Sequence, residues 1–330
     1  MIQLETPNGL PVQVPETDEE DPSEKTSVDQ ISEAKDYYEK FGYVVFRGVI
    51  KKEDCEDAMK LWAKEVKPSS EFIYRQTSAQ AERNVLDSHG WVMNPILNLQ
   101  SISPKHFSGL RSHAVERVLG AKPLAEILSR FLGDAPKVVQ SMYFEGNTET
   151  WEHQDSYYLD SENIGTMAAC WIALENITAT AGRFFVYPGS HRIDFGKQNS
   201  NTNIADNHDV YIKQVMEETR RRGLDIRAPK LNQGDVLIWN AWTIHGSLAS
   251  NDEEHSRSSI TCHVIPNSDR FLQFHSRSWM PPVEKINDTW IWRPKDQGLL
   301  KYRIILGLES RFPRAFYALK RAAIRYVVAK

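Results

Sequence analysis

The order of apolar and polar positions divides the chain into a helical first part and a β-rich second part. Between residue 27 and Gly42, apolar side chains recur at helical spacing, which predicts a helix that ends at the glycine. The run 43–46 is typical of a short buried strand, and 51–66 has the pattern of an amphipathic helix. Residues 111–133 favour further helix.

After Pro136 the pattern changes to short β-branched and aromatic runs that turn residues separate. We predict strands at 137–144, 167–175, 183–188, 235–240 and 259–265. Several short strands of this kind indicate a sandwich or barrel, so the expected fold is mainly β with a helical buttress.

We predict one domain over residues 27–280, whose β core spans about 136–270 and contains an insert, with an N-terminal tail before it and a C-terminal extension after it. Residues 1–26 are rich in acids and proline, and we predict a poorly ordered tail. The polar insert at about 195–230, with a helix expected over 210–222, is interpreted as a lid or substrate loop.

The segment 281–330 is predicted to form a basic helical extension. From Arg293 onward it holds ten lysines and arginines against two acids, and apolar residues recur at helical spacing beside them. Such a helix packs on its own domain or on a second subunit in a homodimer, or it lies on an anionic lipid surface as a peripheral membrane contact.

Composition narrows the class of protein. The chain is 41% hydrophobic and 25% charged, and its net charge of −4 gives no general attraction to nucleic acid. Three cysteines without a CxxC pair argue against disulfides and thiolate metal sites. We find no secretory signal and no apolar run long enough to cross a membrane, so a cytoplasmic protein is expected.

His153 and Asp155 form a His-x-Asp pair in the segment WEHQDSYY. On a strand, residues two apart share a face, so imidazole and carboxylate would converge on one point. With a third ligand from a distant strand they would form the 2-His-1-carboxylate set of non-heme Fe(II) oxygenases. The pair is weak evidence alone, because ten histidines make chance occurrences common.

Two later segments strengthen the hypothesis. An apolar strand after a Gly-Asp turn leads to His245, and Arg257 opens the strand RSSITCHVIP. Arg257 would bind the far carboxylate of a metal-chelating dicarboxylate, since its planar guanidinium holds carboxylates bidentately. Ser259 faces the same way and would add a hydrogen bond.

Taken in order, HQD, WIALENITATAGRFFVYPGSH, GDVLIWNAWTIHGS and RSSIT resemble the phytanoyl-CoA dioxygenase family of Fe(II)/2-oxoglutarate oxygenases. The resemblance implies a double-stranded β-helix, a cupin-like jelly roll. It implies iron held by His153, Asp155 and His245, with Arg257 on the C5 carboxylate of 2-oxoglutarate. Positions lining the cosubstrate are, by the same resemblance, Trp171, Ser247, Gln140 and Tyr143.

The implied activity is hydroxylation of a small molecule by O2, with 2-oxoglutarate converted to succinate and carbon dioxide and ascorbate as a supporting reductant. Related halogenases lack the carboxylate ligand, so the presence of Asp155 favours hydroxylation, desaturation or ring closure. Two alternatives stay open: a hydroxylase of a lipid-linked or glycolipid substrate at a membrane, and a non-catalytic jelly-roll binding protein.

Other polar residues near these motifs are given structural interpretations. We expect His191 to be structural and His263 to be a hydrogen-bonded histidine of the barrel. Glu145 and Glu152 receive no catalytic role.

Overall fold

The computed structural model describes residues 1–146, 148–193, 195, 208–273, 276–277 and 283–328. It contains these helices: α1 (Ile31–Phe41), α2 (Lys52–Leu61), α3 (Ser108–His113), α4 (Lys122–Leu132), α5 (His208–Arg222), α6 (Leu300–Arg311) and α7 (Pro313–Val328). Wide helical turns extend α2 over Trp62–Val66 and α3 over Ala114–Leu119.

The strands of the first half are short: β1 (Ile2–Glu5), β2 (Pro11–Val14), β3 (Lys25–Thr26), β4 (Tyr43–Phe46), β5 (Ile73–Tyr74), β6 (Ala81–Glu82) and β7 (Ile96–Leu97). The core strands follow: β8 (Pro136–Phe144), β9 (Thr150–His153), β10 (Leu159–Ser161), β11 (Ala168–Ala173), β12 (Phe184–Val186), β13 (Val236–Asn240), β14 (His245–Ser247) and β15 (Ser259–Pro266). Beyond them lie β16 (Phe271–Gln273), β17 (Ser276–Arg277), β18 (Glu284–Ile286) and β19 (Thr289–Ile291).

A large sheet forms the wall that carries the fold. Its strand order is β18-β19-β8-β15-β11-β13-β4-β3, with β7 pairing beside β8. The four central strands are antiparallel, and their order places sequence-distant segments side by side. A smaller sheet, β12-β14-β9, faces it. Two facing antiparallel sheets with crossover connections are the jelly roll that the sequence predicts.

The two faces of the large sheet have different partners because successive side chains alternate. On one face, residues such as Cys170, Ile238 and Cys262 pack against α1 to α4 and form the main hydrophobic core. On the other face, Trp171 and Trp239 pack towards the smaller sheet. The predicted helical buttress therefore covers one face and leaves the other as the interior of the jelly roll.

The helix α1 ends as its sequence predicts. Gly42 follows it with a φ of 79°, and its N–H donates to the carbonyl of Tyr38. This left-handed conformation favours glycine. A Cβ at this position would lie 2.5 Å from both His191 Nδ1 and Thr243 Oγ1, so the backbone here approaches two later turns closely.

The prediction of a poorly ordered tail over residues 1–26 is wrong. Strands β1 and β2 pair as an antiparallel hairpin, and Val12 and Val14 are buried against the outer side of the smaller sheet. The buried Arg183 donates from Nη1 to the carbonyl of Pro15 at 2.5 Å. The acid-rich composition led to the wrong prediction, because the alternate apolar residues in IQLE and PVQV are enough to cover the smaller sheet.

The insert and the C-terminal extension both contain helices where the sequence predicts them. The helix α5 occupies His208–Arg222. Residues 196–207 of the insert lie outside the described residues. Helices α6 and α7 form the C-terminal extension. Within the described ranges, no helix has the length and apolar character needed to cross a bilayer.

Replacing Val14 with Ala should lower the free energy of unfolding by about 2 kcal/mol, because it removes buried methyl groups and leaves a cavity. Gln13→Ala is the matched control, since Gln13 is exposed on the same strand, and should change stability by less than about 0.5 kcal/mol. Urea unfolding measures both. Equal stability of the two variants would show that the hairpin does not contribute to folding.

Candidate iron site

Three potential metal ligands meet between the two sheets. The antiparallel register of β14 and β9 places His245 directly opposite His153. Asp155 follows β9 in a single helical turn, Asp155–Tyr157, so the turn, rather than strand alternation as predicted, brings its carboxylate to the histidines. One donor atom from each residue lies within 4.8 Å of the other two.

The distances describe an open triangle of donors. Oδ1 of Asp155 lies 3.6 Å from Nε2 of His153 and 3.6 Å from Nε2 of His245. The imidazole ring centroids are 4.3 Å apart. Three donors on one side of a point leave the other side free, which is the facial arrangement that suits a non-heme iron ion and its cosubstrate.

Hydrogen bonds fix which nitrogen of each histidine faces the centre. Nδ1 of His153 lies 2.9 Å from the carbonyl of Trp151, and Nδ1 of His245 lies 2.9 Å from the carbonyl of Thr243. Because a carbonyl only accepts, each Nδ1 carries the proton, and each Nε2 presents its lone pair to the metal position.

The second oxygen of Asp155 is held by the opposite sheet. Nε1 of Trp239 donates to Oδ2 at 2.8 Å, and Nε2 of His263 lies 3.3 Å from the same oxygen. Neither ring nitrogen of the buried His263 has a hydrogen-bond partner among the described residues. His263 is therefore a barrel histidine, as expected, and its polar neighbour at this distance is the carboxylate of Asp155.

The local electrostatics favour the ligand forms of Asp155 and His245. Burial would raise the pKa of Asp155, but its interactions with His245, His263 and His153 hold it well below its usual range. Burial lowers the pKa of His245 to about 4, although the Asp155 charge acts in the opposite direction. For His153, burial is outweighed by Asp155, and the pKa is raised. Metal binding must therefore displace a proton from His153 at low pH.

Arg257 lies buried in the same interior, and none of the described acidic residues pairs with it. Its Nη1 donates to the carbonyl of Gly182 at 2.6 Å, and its Nε has no partner among the described residues. Burial lowers its pKa to about 10, so the group remains a cation at neutral pH. A buried, uncompensated guanidinium is costly unless an anion neutralises it.

Hydroxyl groups next to Arg257 complete a cradle for such an anion. Ser259 and Thr261 follow on the same face of β15, and the side-chain oxygens of both are buried without a hydrogen-bond partner in the described structure. The ring of Trp171 lies opposite Thr261 in the sheet, with its centroid 5.9 Å from Cζ of Arg257. These unpaired donors fit the carboxylate of 2-oxoglutarate.

The other predicted cosubstrate positions fall in different places. Ser247 is buried on β14, two residues beyond His245. Gln140 lies opposite His263 in the β8–β15 register. Tyr143 faces the helices instead, with its ring stacked on that of Trp62 at 3.9 Å in the main core. The prediction that Tyr143 contacts the cosubstrate is therefore wrong, whereas the roles of Ser247 and Gln140 stay predictions.

His191, which is expected to be structural, and Glu145 and Glu152, which receive no catalytic role, make contacts with the surrounding fold. Nε2 of His191 lies 3.1 Å from the carbonyl of Glu39, next to α1. Glu145 accepts the Val92 N–H and forms an ion pair with Lys67 at 2.9 Å. The hydroxyl of Tyr187 donates to Glu152.

Sequence reasoning missed Trp239, Thr261 and His263. A signal was present for the last two, because Arg257, Ser259, Thr261 and His263 lie two residues apart and all are polar in an otherwise apolar strand. No comparable signal marks Trp239, which reads as one more apolar residue of its strand.

A jelly roll with a 2-His-1-carboxylate set and a buried arginine beside it defines the class of non-heme iron oxygenases. The family model "Phytanoyl-CoA dioxygenase (PhyH)" matches residues 38–259, which is more than half of the chain. The protein therefore belongs to the phytanoyl-CoA dioxygenase family, as the sequence motifs indicated.

Relatives and solved structures agree with this assignment. Phytanoyl-CoA dioxygenase domain-containing protein 1 of Mus musculus is 27% identical over 214 residues, which cover 62% of this chain and 70% of the relative. The carbocyclase SnoK of nogalamycin biosynthesis has a TM-score of 0.54 at 17% identity, covering 73% of this chain and 86% of SnoK. EctD from S. alaskensis, solved with 2-oxoglutarate and 5-hydroxyectoine, has a TM-score of 0.51 at 18% identity, covering 81% and 82% of the two chains.

These findings confirm the jelly-roll fold and the predicted enzyme class, a dioxygenase that depends on Fe(II) and 2-oxoglutarate. The residues present fit both groups, since the donor triangle suits a ferrous ion and the Arg257 cradle suits a dicarboxylate. The supporting role of ascorbate stays a prediction.

Trp239→Phe should weaken Fe(II) binding by between about 10-fold and 100-fold, because the carboxylate loses the donor that orients it. Trp242→Phe is the control, since Nε1 of Trp242 bonds a different carboxylate, that of Asp160, at 3.3 Å. Anaerobic calorimetric titration with Fe(II) measures both affinities. If the two variants bind iron equally well, the indole of Trp239 has no role in orienting Asp155.

Proposed function

We propose that this chain hydroxylates a small organic substrate, with conversion of 2-oxoglutarate to succinate and carbon dioxide. The observation that carries the proposal is the pairing of a complete donor triangle with a buried, uncompensated arginine in one interior. A binding protein has no need of both features. SnoK acts in nogalamycin biosynthesis and EctD was solved with 5-hydroxyectoine, and both molecules support a small substrate.

The three ligands have one task each in this proposal. His153 and His245 supply neutral nitrogens whose direction their carbonyl partners fix. Asp155 supplies one anionic oxygen, because Trp239 occupies the other. A bound ferrous ion with 2-oxoglutarate supplies the activation of O2 that substrate oxidation requires.

Arg257 holds the far end of the cosubstrate. Its guanidinium would accept the C5 carboxylate of 2-oxoglutarate bidentately, and Ser259 and Thr261 would donate their unpaired hydroxyls to the same group. Fixing the dicarboxylate at this end would leave its keto-acid end free to reach the donor triangle. Orientation of this kind is a large part of what a protein contributes to such a reaction.

Aromatic rings keep bulk water from the reacting groups. Phe184 packs 5.1 Å from the His245 ring and 4.6 Å from Trp239, and Trp171 closes the side nearest Arg257. A low-dielectric wall strengthens each charged contact inside it.

Asp155→Ala should abolish succinate formation from 2-oxoglutarate, because the iron loses its only anionic protein ligand. Succinate is measured without added substrate, in the presence of Fe(II) and ascorbate. Asp57→Ala, an exposed change on α2, is the control and should leave the rate unaltered. Equal succinate formation by Asp155→Ala and the unchanged protein would favour a non-catalytic binding protein.

A second candidate, a hydroxylase of lipid-linked or glycolipid substrates at a membrane surface, is favoured by the face of α6. Leu300, Ile304 and Leu308 follow one another at one-turn spacing and are about half exposed or more, with fractions of 64%, 54% and 49%. The only acid between residues 300 and 322 is Glu309, which is buried and accepts hydrogen bonds from Tyr74 and Tyr317.

The cations of this surface have no acidic partners within the described part of the chain. Lys301 and Arg303 flank the apolar stripe near its start, and Arg311 and Arg314 lie near its end. An exposed apolar stripe between unpaired cations fits an anionic lipid headgroup layer, in which charge and apolar burial act together.

Replacing Arg303 and Arg311 together with Gln should weaken binding to vesicles of phosphatidylcholine and phosphatidylserine by about tenfold or more, since each cation contributes about 1 kcal/mol near such a surface. The control is Arg221→Gln with Arg222→Gln, which removes the same charge from α5, where both cations pair with Glu218. Co-sedimentation measures binding. Equal sedimentation of the two double variants would refute the membrane surface.

A further inference from the structure

A cavity of about 340 Å³ opens beside the large sheet at β8. The strand β19 pairs with Lys137 and Val138, and β7 pairs with Met142 and Tyr143. The stretch of β8 between these two pairings therefore has no strand partner on this edge in the described structure. The cavity lies at this gap, and its walls include Tyr74, Gln140, Phe271, Trp292, Lys295 and Lys320.

The inner end of the cavity reaches the surroundings of the iron site. Gln140 lines the cavity and lies opposite His263 in the antiparallel register, so the two side chains share a face of the sheet. His263 in turn lies 3.3 Å from Asp155. The side chains of Gln140 and His263 thus lie between the cavity and the nearest metal ligand, Asp155.

Two lysines give the cavity a positive wall. Nζ of Lys295 lies 4.0 Å from the ring centroid of Tyr74, and Nζ of Lys320 lies 5.8 Å from that of Tyr317. Neither ammonium group is within ion-pair distance of a carboxylate among the described residues. Both rings are oriented by the same acid, Glu309, which accepts their hydroxyl protons.

The nearby Glu309 does not serve as the missing counter-ion. Its Oε2 accepts from Tyr74, and its Oε1 accepts from Tyr317 and from the backbone N–H of Ala81. These hydrogen bonds hold the carboxylate in place but leave its negative charge, which acts on Lys295 from a distance. One acid offsets only part of the charge of two lysines, so a net positive charge remains for a ligand.

Polar atoms without partners lie in the same wall. The hydroxyl of Ser101 and the indole N–H of Trp292 are buried and make no hydrogen bond within the described structure. Ser101 is 4% exposed and Trp292 is 8% exposed. Lys295 also has a φ of 51°, a conformation that a non-glycine residue adopts at a cost. Unpaired donors and a strained lysine together indicate a built binding site.

We propose that this cavity is a second binding site, separate from the iron site, for a small organic molecule that carries an acidic group, a carboxylate or a phosphate monoester, held by Lys295 and Lys320. The apolar part of this ligand would lie between Phe271 and Trp292 and extend towards Gln140. This inference goes beyond the proposed function, since none of the iron ligands lines the cavity. The cavity has the size that is usual for small-molecule sites, and about half of its lining residues are polar.

The test uses three probes with one scaffold: 3-phenylpropanoate, 3-phenylpropyl phosphate and the neutral 3-phenylpropan-1-ol. Calorimetric titration into the metal-free protein should show at least tenfold tighter binding of one or both acids than of the alcohol. Whichever acid binds better identifies the acidic group. Lys295→Met, and independently Lys320→Met, should remove this preference while leaving the weak binding of the alcohol in place.

The matched control is Lys285→Met, because Lys285 also lies over an aromatic ring, that of Trp290, but outside the cavity. It should keep the full preference for the acids. Equal binding of acids and alcohol, equal losses in Lys295→Met and Lys285→Met, or no binding of any probe would each overturn the inference. Asp155→Ala should still bind the acids, so failure of the dioxygenase proposal and failure of this one are distinguishable.

Discussion

The backbone pairing of β9 with β14 is the interaction on which the rest of the site depends. It sets His153 opposite His245 before any metal is present, and the turn after β9 adds the Asp155 carboxylate. The large sheet then acts on this pair from across the interior, through the Trp239 indole and the row of polar residues on β15. Placement of the candidate metal ligands is thus a property of the small sheet, whereas their orientation and the proposed cosubstrate contacts are properties of the large one.

Much of this could be predicted from the sequence, because the signals are local or periodic. Alternating apolar runs predict the core strands, and Gly42 predicts the end of the first helix. The His-x-Asp pair, together with a distant His-Gly and an arginine that opens a strand, predicts the donor set. What brings these segments together, the strand order of two sheets, is not local. At the level of sequence, only the resemblance of the ordered motifs to a known family predicts this strand order.

The failures have physical causes of the same kind. The N-terminal hairpin is stable because it covers the smaller sheet. The composition of a segment describes that segment alone, so it cannot show that another part of the chain provides a surface for it to pack on. Tyr143 lies three residues after Gln140 on β8, and because successive side chains alternate, the two residues face opposite sides of the sheet. Trp239 counts as an apolar residue in the sequence pattern, yet its indole N–H donates to the carboxylate of Asp155.

The close approach at Gly42 has a consequence for the architecture. Its carbonyl accepts hydrogen bonds from the N–H of Asn240 and from the hydroxyl of Thr243, and the Thr243 carbonyl is the partner of His245 Nδ1. The end of a helix outside the jelly roll is thus two hydrogen bonds away from an iron ligand. A minimal enzyme made by trimming the protein to its β strands would lose this anchor, so the helical layer is part of the metal centre and cannot be treated as a detachable support.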